Sequence, residues 1–142
     1  MNPIRILLVD DEQSIRRGLR MRLGLEPDIE VVGEAADGAA AVVAAGAFRP
    51  DVVLMDVEMP VMDGIRAAAE LHTAAPAAAV VMLSLHDDAR TRARARAAGA
   101  VDFVAKHEID AVLTQAIRAA VRRRPESGSD ETEEKTEEGE QS

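Results

Sequence analysis

Val52-Val53-Leu54-Met55-Asp56-Val57-Glu58-Met59-Pro60-Val61-Met62-Asp63-Gly64 carries an apolar run out to one carboxylate and then breaks into a turn. The apolar half, Val52 to Met55, reads as a fully buried strand bounded by turn residues. An ionised carboxylate set against such a strand is costly unless it has a partner or a task. Working outward from it, three more apolar runs end in polar groups. Ile4 to Val9 runs into Asp10-Asp11, Ala79 to Leu83 into Ser84, and Asp102 to Ala105 into Lys106.

Helical patterns separate these runs. After Asp10-Asp11-Glu12, residues Ile15, Leu19 and Leu23 fall on one face, with Arg16, Arg17, Arg20 and Arg22 largely on the other. A short strand from Glu30 to Glu34 follows, and Asp37-Gly38 turns the chain into an Ala/Val helix expected to stop near Gly46. Asp63-Gly64 opens a helix through Leu71, Asp88 to Ala98 reads as an Ala/Arg helix ended by Gly99, and Val112, Leu113, Ala116, Ile117, Ala120 and Val121 stripe a last helix that ends before Pro125.

Strands that alternate with helices and are almost fully apolar argue for a parallel sheet covered on both faces. Right-handed crossovers leave few topologies. All strand carboxyl ends then lie on one edge, where such sheets bind ligands. That edge gathers Asp10, Asp11, Asp56, Ser84 and Lys106, a set suited to cation-assisted phosphoryl chemistry.

Composition narrows the classes. The 142 residues, 47% apolar, fit one domain with a real core. The absence of cysteine excludes disulfides and thiolate metal sites. No apolar stretch approaches the ~18 residues of a membrane span, and no signal-peptide pattern precedes the first strand, so a cytoplasmic location with no membrane association is expected. Of the net charge of −9, residues 126–142 hold eight acids and one base. The remaining 18 acids and 16 bases leave residues 1–125 near neutral, at −2. With no aliphatic or aromatic residue to bury, the segment 125–142 is expected to be a disordered acidic tail beside a folded domain of residues 1–124. Two aromatics, Phe48 and Phe103, give no stacking platform for single-stranded nucleic acid, and direct nucleic-acid binding is not expected.

Four segments in this order carry a family likeness: Leu7-Leu8-Val9-Asp10-Asp11, the quoted stretch from Asp56 to Gly64, Leu83-Ser84, and Gly99-Ala100-Val101-Asp102-Phe103-Val104-Ala105-Lys106. Together they resemble the receiver domain of bacterial response regulators, in wording most like the NarL/FixJ-type subgroup, over Ile4 to about Arg122. The resemblance implies an α/β, flavodoxin-like, doubly wound sheet of five parallel strands in the order 2-1-3-4-5. It implies a two-component signalling protein that takes a phosphoryl group from a sensor histidine kinase on Asp56, with Mg²⁺ as cofactor, and is no enzyme beyond its own phosphorylation and dephosphorylation. Asp11 and Asp56 would hold the metal directly, Asp10 through water, and Glu58 through its backbone carbonyl. Lys106 and Ser84 would engage phosphoryl oxygens, and Phe103 matches the family's mobile aromatic switch position. The kinase would dock on the helix around Ile15 to Leu23. A phosphorylation-dependent homodimer and a role in transcription regulation are compatible with the likeness.

Two departures stand out. His107 follows Lys106 where the family usually places proline, often after a cis bond, and a cis bond before a non-proline costs ~2.5–4 kcal/mol. No second hydrophobic periodicity follows Pro125, so no helix-turn-helix output domain is expected in this chain. Two other functions remain open at this point. One is a phosphorylation-independent interaction module on the same fold. The other is a Mg²⁺-dependent phosphohydrolase with an aspartyl nucleophile, which the Asp10–Glu12 spacing allows but which leaves the Asp56 segment unexplained.

Overall fold

The computed structural model describes residues 2–59 and 62–123. The expected acidic tail, residues 125–142, lies outside them. Five strands alternate with helices: β1 (Ile4–Val9), α1 (Gln13–Leu23), β2 (Ile29–Ala35), α2 (Gly38–Phe48), β3 (Val52–Asp56), α3 (Gly64–Ala74), β4 (Ala79–Ser84), α4 (Ala89–Ala97), β5 (Asp102–Ala105) and α5 (Ile109–Arg123). The sheet is parallel throughout, in the order β2-β1-β3-β4-β5. This is the doubly wound topology the resemblance implied.

Alternate residues of each strand feed two separate cores, as a period of two requires. On one face Ile6, Leu8, Leu54, Val81 and Leu83 pack against Leu19 and Leu23 of α1 and Leu113 and Ile117 of α5. On the other, Leu7, Val9, Val53, Met55 and Met82 meet alanines of α2, α3 and α4 with Leu71. Large aliphatics fill the first core and methyl-bearing small residues let helices approach closely in the second. Ile15, placed on the apolar stripe of α1 by its spacing, is 38% exposed. The stripe dips into the core only from Leu19 onward.

Helix starts follow the local chemistry. Asp37, Asp63 and Asp88 each cap a helix, their carboxylates accepting from the amides of Ala40 (2.8 Å), Arg66 (2.9 Å) and Thr91 (2.8 Å). α2 runs two residues past the expected stop at Gly46. It ends instead on Arg49 in the left-handed conformation (φ 50°), with Pro50 next to prevent continuation. β1 and β2 slip register between Ile6↔Val31 and Leu7↔Gly33, leaving Val32 as an extra residue in β2.

Candidate functional site

The carboxyl ends of β1, β3, β4 and β5 meet at one edge. Asp56 is the last residue of β3 and is 3% exposed, and Asp10, one residue beyond β1, is 2% exposed. Lys106, one residue beyond β5, reaches both: its Nζ lies 3.1 Å from Asp56 Oδ1 and 3.8 Å from Asp10 Oδ2. Asp10, Asp11 and Asp56 each offer a carboxylate oxygen within 4.8 Å of the others, with Asp11 exposed and the other two buried.

The backbone around these acids is held from several sides. Asp10 Oδ1 accepts from the Glu12 amide (2.9 Å), and its carbonyl accepts from the Arg16 guanidinium (2.6 Å). Arg16 and Arg20 of α1 also grip Glu34 of β2, at 2.8 and 2.7 Å. Asp56 Oδ1 accepts from the Glu58 amide (3.1 Å). Behind Asp56, the Gly64 amide donates to the Val57 carbonyl (2.9 Å). A Cβ on Gly64 would stand 2.1 Å from the Asp56 carbonyl oxygen, so the turn after the quoted stretch closes only with glycine there.

Charge balance at the site is unequal. Burial pushes the Asp56 carboxyl up from 3.8 to about 6, against the hydrogen bond and positive charge of Lys106, while the charge of Asp10 adds to the rise. Burial also works against the Lys106 ammonium. The hydrogen bond and charge of Asp56, with Asp10 behind it, outweigh that and hold the ammonium above the usual lysine value. Asp10 Oδ2 is buried and accepts no hydrogen bond. A buried carboxylate oxygen with no hydrogen bond, only a distant ammonium, and two more carboxylates within reach marks a place for a cation.

Ser84, fully buried at the end of β4, is present but engaged. Its hydroxyl donates to Glu58 Oε2 (2.5 Å) and accepts from the His86 amide (2.9 Å). The other Glu58 oxygen takes the Leu85 amide at 3.2 Å. Sequence reasoning gave Glu58 a backbone carbonyl for the metal and a place beside the nucleophile, on the path of an attacking water. Its side chain, 26 residues from Ser84 in sequence, was not legible as a clamp on the end of β4, because nothing local to either residue signals the contact. Phe103 in β5 is half-buried, with the Arg92 guanidinium 4.6 Å above its ring centre. The Lys106–His107 bond is trans, like every described peptide bond, and Lys106–Glu108 forms a short 3₁₀ turn leading directly into α5.

Comparison with known proteins decides the family. The response regulator receiver domain family matches residues 6–118. The chain belongs to that family. The receiver domain of NarL from Mycobacterium tuberculosis superposes with a TM-score of 0.82 at 33% identity, covering 87% of this chain and all of that one. An uncharacterized transcriptional regulatory protein of Bacillus subtilis, YxjL, is 39% identical over 84% of this chain and 55% of its own length. A protein-glutamate methylesterase/protein-glutamine glutaminase of Alkalilimnicola ehrlichii is 46% identical over 75% of this chain and 28% of its own length. The receiver is thus similar to those of NarL-type regulators and to that of a methylesterase. It spans about a quarter to about half the length of these curated relatives. No helix among the described residues is long and apolar enough to cross a membrane.

Proposed function

We propose that this receiver, residues 1–124, accepts a phosphoryl group from the phosphohistidine of a sensor kinase on Asp56, with Mg²⁺ bound by its acidic pocket. The observation that carries this is the Asp56 carboxylate: buried at a strand end, paired to Lys106 at 3.1 Å, and flanked by Asp10 and Asp11. Hard oxygen donors, few in number and partly exposed, suit Mg²⁺, which keeps several waters. Asp11 and Asp56 would hold it directly, Asp10 through water, with the Glu58 backbone carbonyl completing the protein's share. Bound there, the metal supplies positive charge against the phosphoryl oxygens.

The protein's own groups do the rest. An Asp56 oxygen attacks phosphorus as the P–N bond to the donor histidine breaks, and the imidazole leaves with that bond's electrons. Lys106 neutralises charge gathered on the transferring group, a task of positioning and electrostatics. For Ser84 to donate to a phosphoryl oxygen, its hydroxyl must leave Glu58. That exchange changes the end of β4 and frees room for Phe103 to move inward from beneath Arg92. The α4–β5–α5 surface then has two forms, biased by phosphorylation. The partners are the kinase, docking on α1, and a protein or second copy that reads the altered surface. Its output is in transcription control, a reading supported by the transcriptional-regulator relatives, with no direct contact between this chain and nucleic acid.

The test is acid-labile phosphate uptake from acetyl phosphate by the native chain and Asp56→Asn, with and without Mg²⁺. Metal-dependent uptake that disappears in the variant is expected. No uptake by a native chain that still binds Mg²⁺ would favour the phosphorylation-independent module.

A further inference from the structure

α4 carries more positive charge than its surroundings neutralise. Its nine residues, Ala-Arg-Thr-Arg-Ala-Arg-Ala-Arg-Ala, hold Arg90, Arg92, Arg94 and Arg96 and no acid. Arg92 pairs with Asp87 (2.6 Å), whereas Arg90, Arg94 and Arg96 have no acidic partner among the described residues. Two features make this arrangement unfavourable for the isolated helix. Arg90 and Arg92 sit in the first turn, where the helix dipole disfavours cations. Arg90/Arg94 and Arg92/Arg96 are like charges at i,i+4, which repel. Packing offsets little of this, since Ala95 is the helix's single buried residue. A helix so weakly held and so strongly charged is stabilised by whatever anion covers it.

Beside α4 lies a cleft of about 170 Å³ between α4, β5 and α5. Arg92, Arg96 and Arg123 line it together with Phe103, Ala95 and Val101. Asp102, the acid in its lining, is already bonded to Arg123 at 3.0 Å. The cleft and the helix beside it therefore offer an acidic peptide the unpaired guanidinium of Arg96, with Arg90 and Arg94 on the same helix, next to apolar surface from Ala95, Val101 and Phe103.

The chain supplies such a peptide. Eight acids and one lysine occupy residues 126–142, beginning three residues past Arg123, which itself lines the cleft. At about 3.3 Å per extended residue, three residues of chain reach at most ~10 Å, and a nine-residue helix is only ~14 Å long. A tether this short sets an effective concentration of about a millimolar or more. We propose that residues 126–142 dock in cis on the basic α4–β5–α5 cleft and cover it. Covering it shields Phe103 and makes any partner that reads this face compete with the chain's own acidic segment. The proposal holds whether or not Asp56 accepts phosphate.

The test uses the full chain. The sequence has no cysteine, so Thr136→Cys gives a single thiol for a nitroxide spin label. In ¹⁵N-labelled protein at low salt, the amides of Arg92 to Ala97 and Val101 to Phe103 are expected to lose more than half their intensity. Intensity is expected to return in high salt, which shortens the screening length to a few ångströms, and in the double variant Arg92→Glu/Arg96→Glu, whose amide spectrum also reports its fold. Arg94→Gln/Arg96→Gln serves where charge reversal disturbs the helix. Broadening spread equally over α1 and α2, or unchanged in both variants, would overturn the proposal. So would equal broadening when label and ¹⁵N sit on different molecules, which would make the contact one between copies.

Discussion

The two ends of the same sheet treat charge in opposite ways. At the end where strands begin, acids and bases are matched and partly exposed. Arg118 of α5 holds Asp28 through two bonds (2.8 and 2.9 Å) and Glu26 at 2.8 Å, and Asp51 accepts the Arg5 amide at 2.9 Å. At the end where strands finish, Asp10 and Asp56 are buried with Lys106 as their shared cation, and Asp11 adds a third acid. The Arg118 cluster lowers the Asp28 carboxyl pKa, through the Arg118 hydrogen bond first. Burial raises that of Asp56. One end uses charge to tie α5 to the loop before β2. The other keeps charge uncompensated, at a cost in stability, and that imbalance is what lets it take up a cation.

The largest effect that would break this contrast is at Gly64. Gly64→Ala puts a carbon onto the Asp56 carbonyl, and we expect a loss of about 3 kcal/mol or more in urea unfolding. An unchanged midpoint would show that the turn behind the site has slack. Next in size is the pH response. A carboxyl pKa raised from 3.8 to about 6 means the folded state binds the proton more tightly than the unfolded one. Stability of the metal-free chain should therefore fall as pH rises from about 4 to about 6, by up to ~3 kcal/mol for a shift of this size. Asp56→Asn should flatten that slope and raise stability at pH 7 by about 2 kcal/mol, less whatever the orphaned Lys106 costs. A variant less stable than native at pH 7 would mean that Lys106 compensates Asp56 fully. Smaller still, Lys106→Gln should move the Asp56 carboxyl titration, followed by ¹³C NMR, above about 6. At the opposite end Arg118→Ala breaks three bonds, two exposed to Asp28 and one part-buried to Glu26. It should leave phosphate uptake at the native rate and shift the thermal midpoint barely measurably. A large loss of uptake there would show that the two ends are coupled.

Most of the fold was legible because strand residues had one task each. Val52 to Met55 and Ala79 to Leu83 are buried on both faces, so unbroken apolar runs marked them, and the polar residues ending those runs marked the site edge. Strand order came from family likeness, since periodicity does not distinguish neighbours. What escaped depends on contacts between distant segments. The Glu58 clamp on Ser84 joins the loop after β3 to the end of β4. The Arg16 bond to the Asp10 carbonyl looks, in sequence, like one more exposed arginine of α1. Gly46 looked like a helix stop, but the stop needed the Arg49–Pro50 pair. The 3₁₀ turn after Lys106 replaces the expected problem of a cis bond before His107, because a trans bond feeds α5 directly.

The extra residue in β2 has a bearing on how this chain tolerates deletion. Before Val32, β2 residues pair in parity with β1; after it, Gly33 stands beside Leu7 and Ala35 beside Val9. That offset puts Glu34 level with Leu8, on the side where Arg16 and Arg20 grip it. It also brings the Ala35 carbonyl to the Asp10 amide at 3.2 Å. Losing this one codon would let Val31, Gly33, Glu34 and Ala35 run on beside Ile6, Leu7, Leu8 and Val9 in regular alternation, so Glu34 would keep its side and Ala35 its bond to Asp10. The edge strand thus carries one residue that its pairing with β1 does not need, and viable shortened descendants should have lost Val32 before any paired residue of β2.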